Sequence, residues 1–223
     1  MAKKEPVSKK LGFSSEILIV GVLLLIIGAL VFVHRYYKTH GVPTLPVPDQ
    51  TITSNTGEPE ESKPAANVMA QYSVPAGQPR SIRINSIGVY GLIQKVGTTK
   101  NDAMAVPSNI HFAGWYTGSA IPGNSGLSII NGHVLGRYGD AIFRQLAKVK
   151  SSDEIEIEFG DHGIKKFEVV ETITLPAGIS TARLFTQNAD IPAQLSLITC
   201  TGKFDKVSQS YTDRVIVIAK LEN

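Results

Sequence analysis

What the chain has little of narrows the reading first. It contains one cysteine, Cys200, in 223 residues. No internal disulfide can form, so the thiol is a buried filler, an intermolecular link or a reactive group. Basic clustering is missing too. Residues 79–223 carry 15 Lys and Arg against 13 Asp and Glu, a net of +2, with no concentrated basic face. That excludes nucleic acid as a partner. The same region lacks internal repeats, low-complexity tracts and sustained helical periodicity, which excludes a helical bundle or solenoid.

Charge is absent altogether from Ile17 to Val33, a run of seventeen residues preceded by Lys3, Lys4, Lys9 and Lys10. At about 1.5 Å per residue such a helix spans roughly 25 Å, the short end of what a bilayer core requires. A cleaved secretory signal has the same order of charge and apolarity, but it needs a small-residue cleavage site. Here the run continues into Val33-His34-Arg35-Tyr36-Tyr37, with no such pattern. The amphipathic stripe of a buried core helix is missing as well. The reading is therefore a cytoplasmic basic head over residues 1–16 and a single membrane anchor over 17–37. The excess of lysine before the span keeps the N-terminus cytoplasmic and places the remainder outside the cell.

Residues 38–78 hold six of the twelve prolines, with Ser, Thr, Asn and Glu between them. A segment with so little to bury is expected to be a flexible extracytoplasmic tether. Residues 79–223 then form one domain of 145 residues, large enough to bury a normal core.

Within it, short apolar or alternating runs separated by Gly, Pro and Asn predict a mostly β domain. The expected strands are Ser81–Asn85, Val89–Lys95, Leu127–Asn131, Glu154–Phe159, Lys166–Thr174, Leu195–Thr199 and Arg214–Leu221. Glu154 to Phe159 alternates strictly, one face buried and one wet. Val215 to Ile218 is apolar on both faces and predicts a central strand. Ala141–Lys148 is the best short helix. So many short strands are most simply relieved of exposed edges by a closed or nearly closed barrel of seven or eight strands.

The chemistry-bearing residues sit at strand ends. Leu195-Ser196-Leu197-Ile198-Thr199-Cys200 ends a strand on the thiol, and Arg214 opens the next. Antiparallel pairing of these strands makes Cys200 and Arg214 neighbours. The thirteen residues from Thr201 to Asp213 read as a long loop of lid or wall type. Pro122-Gly123-Asn124-Ser125-Gly126 feeds an apolar strand that ends on Gly132-His133, and strand ends are where scaffolds present functional groups.

Taken in order, Pro122-Gly123-Asn124-Ser125-Gly126, Gly132-His133, Phe143-Arg144-Gln145-Leu146, Leu197-Ile198-Thr199-Cys200 and Arg214 resemble the sortase signature, and the likeness runs from about Arg80 to Leu221. Three positions depart from it. Ser196 stands where the family's cysteine motif usually has threonine, Asn131 replaces the small residue common before Gly-His, and Ser152-Asp153 stands where many members have Gly-Asp. The resemblance implies a sortase-like β-barrel with short helices, and a class F-like or class A-like cysteine transpeptidase. In such an enzyme Cys200 would be the nucleophile, His133 its proton-transfer partner and Arg214 the oxyanion stabiliser. It also implies cleavage of an L-P-x-T-G-like sorting signal between Thr and Gly, with transfer of the acyl group to an amine of a peptidoglycan precursor or a pilin lysine. The partners are then LPXTG-bearing surface proteins. The substrate groove would be walled by Leu175–Gln194 and floored near Thr199, with Ser196 and Trp115 as further contacts. No cofactor is implied. Glu154, Glu156 and Glu158 could suggest calcium, but evenly alternating carboxylates read as a solvated strand face, and no metal is expected.

Other readings compete. An L,D-transpeptidase would show Ser-x-Gly-Cys, and a papain-like peptidase would place Cys before His; neither pattern is present. A tethered wall-binding β-domain with Cys200 as filler is the non-enzymatic alternative.

Overall fold

The computed structural model describes residues 15–39, 50–55 and 57–222. The basic head before Ser15 and residues 40–49 of the expected tether lie outside them.

Two compact units divide the chain, at Gly41/Val42. The first contains α1, Ser15–Thr39, built from the uncharged Leu- and Ile-rich run. Every large apolar side chain described along it, from Ile19 to Val33, is exposed. Over the described residues, no helix is long and apolar enough to cross a membrane.

The second unit is a closed eight-stranded barrel. Its strands are β1 (Pro79–Ile84), β2 (Val89–Val96), β3 (Ala113–Tyr116), β4 (Gly126–Gly132), β5 (Glu154–Phe159), β6 (Ile164–Pro176), β7 (Ala193–Asp205) and β8 (Ser210–Leu221). They close in the order β1-β2-β3-β4-β7-β8-β6-β5. Neighbours are antiparallel except β2 with β3 and β4 with β7, which run parallel. Closure pairs every strand on both sides, removing the edges that short strands otherwise expose.

The inner core takes alternate residues, including Ile82, Ile84, Ile155, Ile157, Phe167, Leu195, Leu197, Val215 and Val217. On β5 the outward carboxylates are paired: Glu154 with Lys166, Glu156 with Arg83, Glu158 with Arg80. Strands β7 and β8 are buried on both faces, as the Val215–Ile218 run predicts. Their outward Ile198, Ile216 and Ile218 join Ile129 of β4 in a second cluster. Leu184 and Ile191 cover it from the β6–β7 connection, which contains the short helix α3, Ala177–Leu184.

Four expectations need correction. The four-residue β3 is too short and glycine-broken to read as a strand, yet it fills the gap between β2 and β4. Ala141–Lys148 is not an α-helix; only Leu146–Lys148 makes a 3-10 turn. The N–H groups of Arg144, Leu146 and Lys148 reach only three residues back, to the Ala141, Phe143 and Gln145 carbonyls, so the segment is a series of tight turns without the four-residue ladder of an α-helix. Thr201–Asp213 is not a long loop. The β7–β8 ladder continues past a bulge to Phe204↔Tyr211 and Asp205↔Ser210. Lys206–Gln209 alone forms the turn, tied by Asp205 accepting from the Val207 and Ser208 N–H groups.

The fourth concerns the tether. Residues 50–78 run along the barrel: Ile52 bridges to Val96 and Glu60 to Asn109. A second short helix, α2 (Ala66–Gln71), precedes Tyr72, which is 3% exposed and donates its hydroxyl to the Ile93 carbonyl at 2.8 Å. The buried Arg80 guanidinium donates to the Tyr72 and Met69 carbonyls and to Glu158. Composition conceals this, because the segment is held chiefly by backbone groups and a few anchors rather than by an apolar stripe.

Candidate active site

Three adjacent strands deliver three side chains to one end of the barrel. In the antiparallel β7–β8 ladder Cys200 is the direct partner of Arg214. In the parallel β4–β7 ladder Asn131 is level with Ile198. Two residues on, His133 leaves β4 at the level where Cys200 lies on β7. Thr199 fastens this junction, its Oγ1 donating to the Gly132 carbonyl at 2.8 Å. Cys200 thus lies between the strand that presents the imidazole and the strand that presents the guanidinium. By alternation it shares the outward face with Ile198, at the end of the second cluster.

The histidine is held from outside the barrel. Its Nε2 lies 2.9 Å from the Pro107 carbonyl oxygen. A carbonyl can only accept, so Nε2 carries the proton and the neutral ring keeps its lone pair on Nδ1. Phe143 N–H donates to the His133 carbonyl at 3.0 Å. Burial pushes the imidazole below its ordinary value, with the Pro107 hydrogen bond opposing.

Cys200 is half-buried. Burial pushes its thiol above the ordinary range, and the Arg214 charge opposes this only in part. Both shifts favour the neutral form of each group. A cleft of about 300 Å³ is lined by Cys200 together with Val134, Arg144, Gln145 and Thr201, but not by His133 or Arg214. A larger hollow of about 830 Å³, near Ser86, Lys148 and Asp153, contains none of the three residues. Position on the β4–β7–β8 ladder, not size, identifies the site.

Arg214 is fixed by its own hairpin. Nη1 donates to the Tyr211 and Asp213 carbonyls at 2.8 and 2.9 Å, and Nη2 to Ser210 Oγ at 3.0 Å. The planar fork is thereby held on the strand paired with that of the thiol.

Of the remaining candidates, Thr199 lines the same cleft as Cys200, whereas Trp115 and Ser196 lie elsewhere. Trp115 belongs to the inner core, and its Nε1 donates to the Ala120 carbonyl at 3.1 Å. Ser196 is buried and accepts from Gln194 Nε2, whose Oε1 accepts the Asn188 N–H. It serves the seating of the β6–β7 connection. Thr199 is buried against β4 as described. Pro107 and Ser210 carry no sequence signal of their own, since their contribution is a carbonyl and a hydroxyl supplied by the fold.

A sortase-domain family model matches residues 82–222, well over half the chain. Among solved structures, the chain is similar to a sortase D5 transpeptidase of Clostridium perfringens, with 27% identity, covering 66% of this chain and 79% of that one, at a TM-score of 0.48. It is also similar to a lid mutant of sortase A from Corynebacterium diphtheriae, with 25% identity, covering 69% of this chain and 74% of that one, at a TM-score of 0.50. No curated protein matches. With the match spanning nearly the whole barrel, this chain belongs to the sortase family.

Proposed function

We propose that the protein is a membrane-anchored cysteine transpeptidase that cleaves an LPXTG-like sorting signal between Thr and Gly and passes the acyl group to an amine. The observation that carries this reading is the cross-strand pairing of Cys200 with Arg214, with His133 delivered beside Cys200 by β4. In the first step the Cys200 proton passes to His133 Nδ1 and the sulfur attacks the Thr carbonyl carbon. Arg214 stabilises the oxyanion that forms. The C–N bond to Gly then breaks, His133 returns its proton to the leaving amine, and a thioester remains on Cys200. In the second step an amine attacks the thioester carbonyl and gives up a proton to His133, and the sulfur leaves as the Cys200 thiol.

The substrates in this reading are LPXTG-bearing surface proteins. The acceptor is the amine of a peptidoglycan precursor or of a pilin lysine. The uncharged run Ile17–Val33, helical within α1 and flanked by N-terminal lysines, supports a single-pass anchor with the N-terminus cytoplasmic and the barrel outside. The test is hydrolysis and transpeptidation of an L-P-x-T-G peptide with an added amine. Cys200→Ala is expected to abolish turnover and leave the thermal transition in place. Turnover retained in that variant would end the proposal.

A further inference from the structure

Two loops hold His133, and one strap holds both loops. The first is residues 97–112, between β2 and β3, which supplies the Pro107 carbonyl to His133 Nε2. The second is the turn that follows His133 itself, residues 134–140, closed by the Leu135↔Asp140 bridge. Neither is part of the barrel ladder. Asn131, on β4, reaches the first loop once, its Nδ2 donating to the Ala105 carbonyl at 2.7 Å.

Residues 52–55 and 57–62 grip the two loops together. On the first loop, Asn55 Oδ1 accepts the Val106 N–H at 3.0 Å. Glu60 N–H donates to the Ser108 carbonyl at 2.7 Å, and the Glu60 carbonyl accepts the Ile110 N–H at 2.9 Å. Asn109 Nδ2 donates to the Ser62 carbonyl at 3.0 Å. These contacts bracket Pro107 on both sides. On the second loop, the Glu61 carboxylate accepts the N–H groups of Arg137 and Tyr138, four and five residues past His133. Glu58 adds an ion pair to Arg137 at 2.8 Å. Surface ion pairs contribute little. The Glu61 contacts are different, because one side chain closes two backbone donors with a charged acceptor.

We propose that the strap, and Glu61 within it, is a positioning element for His133: it couples the loop bearing Pro107 to the turn after His133, so that the imidazole presents Nδ1 toward Cys200. This rests on the catalytic reading of His133 given above. Glu61 touches neither substrate nor the reacting atoms; it acts through the turn and the Pro107 loop. Half an ångström of drift in an acid–base group is enough to matter, since misplacement by about 1 Å can cost on the order of a hundred-fold in rate.

The full chain carrying Glu61→Ala tests this by two readouts, with Glu61→Gln as the conservative variant that keeps one acceptor oxygen. The first is the His133 Nε2–H proton resonance in ring-labelled protein, which the Pro107 hydrogen bond protects from exchange. The second is kcat and KM on an L-P-x-T-G peptide. For Glu61→Ala the resonance is expected to broaden or exchange faster, and kcat to fall about ten- to a hundred-fold with KM little changed. Glu61→Gln should recover much of both. An Nε2–H signal unaltered by Glu61→Ala overturns the positioning proposal whatever the turnover. A lost signal with wild-type kcat shows instead that His133 is not the proton carrier, and the positioning proposal falls with the catalytic reading it rests on.

Discussion

Arg214 is the cross-strand partner of Cys200, yet its guanidinium donates to the Tyr211 and Asp213 carbonyls and to Ser210 Oγ, all within four residues of itself. The cation is therefore positioned by the β7–β8 hairpin and not by the thiol.

Replacement by lysine keeps the charge and loses the fork. Arg214→Lys is expected to lower kcat by about 10² to 10³, the usual cost of removing an oxyanion donor, with modest change in KM. Ser210→Ala removes one of the contacts that orient the fork and should cost less than the lysine variant. Steady-state kinetics on a sorting-signal peptide decide the matter, and a wild-type rate for Arg214→Lys would remove the residue from the mechanism.

The pH behaviour follows from burial. Burial holds the Cys200 thiol above its ordinary value and the His133 imidazole below its own. A raised thiol means the thiolate fraction grows only as pH rises through that elevated value. A lowered imidazole means the imidazolium is lost already as pH rises through a value below the ordinary one. At neutral pH the reactive thiolate–imidazolium pair is then a minority of the enzyme. Alkylation of Cys200 by iodoacetamide should keep accelerating past pH ~8.5, the value for an unperturbed thiol. A rate that levels off below about pH 7 would show instead that the ion pair is the resting state.

The parts of the fold legible in the sequence are those fixed by side-chain pattern. The Glu154–Phe159 alternation and the doubly apolar Val215–Ile218 run specify their strands and faces, and Cys200 and Arg214 fall opposite one another once those strands pair. What stayed hidden is governed by backbone hydrogen bonds with distant partners. The segment Ala141–Lys148 has apolar spacing suited to a helix, but Ile142 and Phe143 are tied to the distant Ile110 and His133 carbonyls and the bonds that follow, Arg144 to Ala141 and Leu146 to Phe143, span only three residues. The continuation of the hairpin has a single aromatic pair, Phe204 with Tyr211, rather than an alternating apolar face, and the strap at 52–55 and 57–62 makes polar contacts with the Pro107 loop. Trp115, proposed from sequence as a groove residue, sits in the inner core because β3, which carries it, left no sequence signal to give its facing.

The bulge that follows Cys200 gives the remaining prediction. The β7–β8 register shifts between Thr201 and Phe204, and Gly202 there adopts φ +83°. A Cβ at this position would also meet the side-chain ends of Asp213 and Thr212, which hydrogen-bond to each other at 2.6 Å. Those ends can move, so the larger cost is conformational, roughly 1–2 kcal/mol for an L-residue in left-handed backbone. If the residue instead reverts to extended backbone, the bulge is lost and the pairing of Cys200 with Arg214 slips, which harms catalysis more than stability. Gly202→Ala should therefore lower the melting temperature by a few degrees, at about 2–4 °C per kcal/mol for a chain of this size, and lower kcat disproportionately. Gly202→Asn, whose side chain tolerates positive φ, should recover most of both losses. Wild-type kcat/KM in Gly202→Ala would show that the bulge does not set the geometry of the thiol and guanidinium, and equal losses in the two variants would shift the cause to the crowding of Asp213.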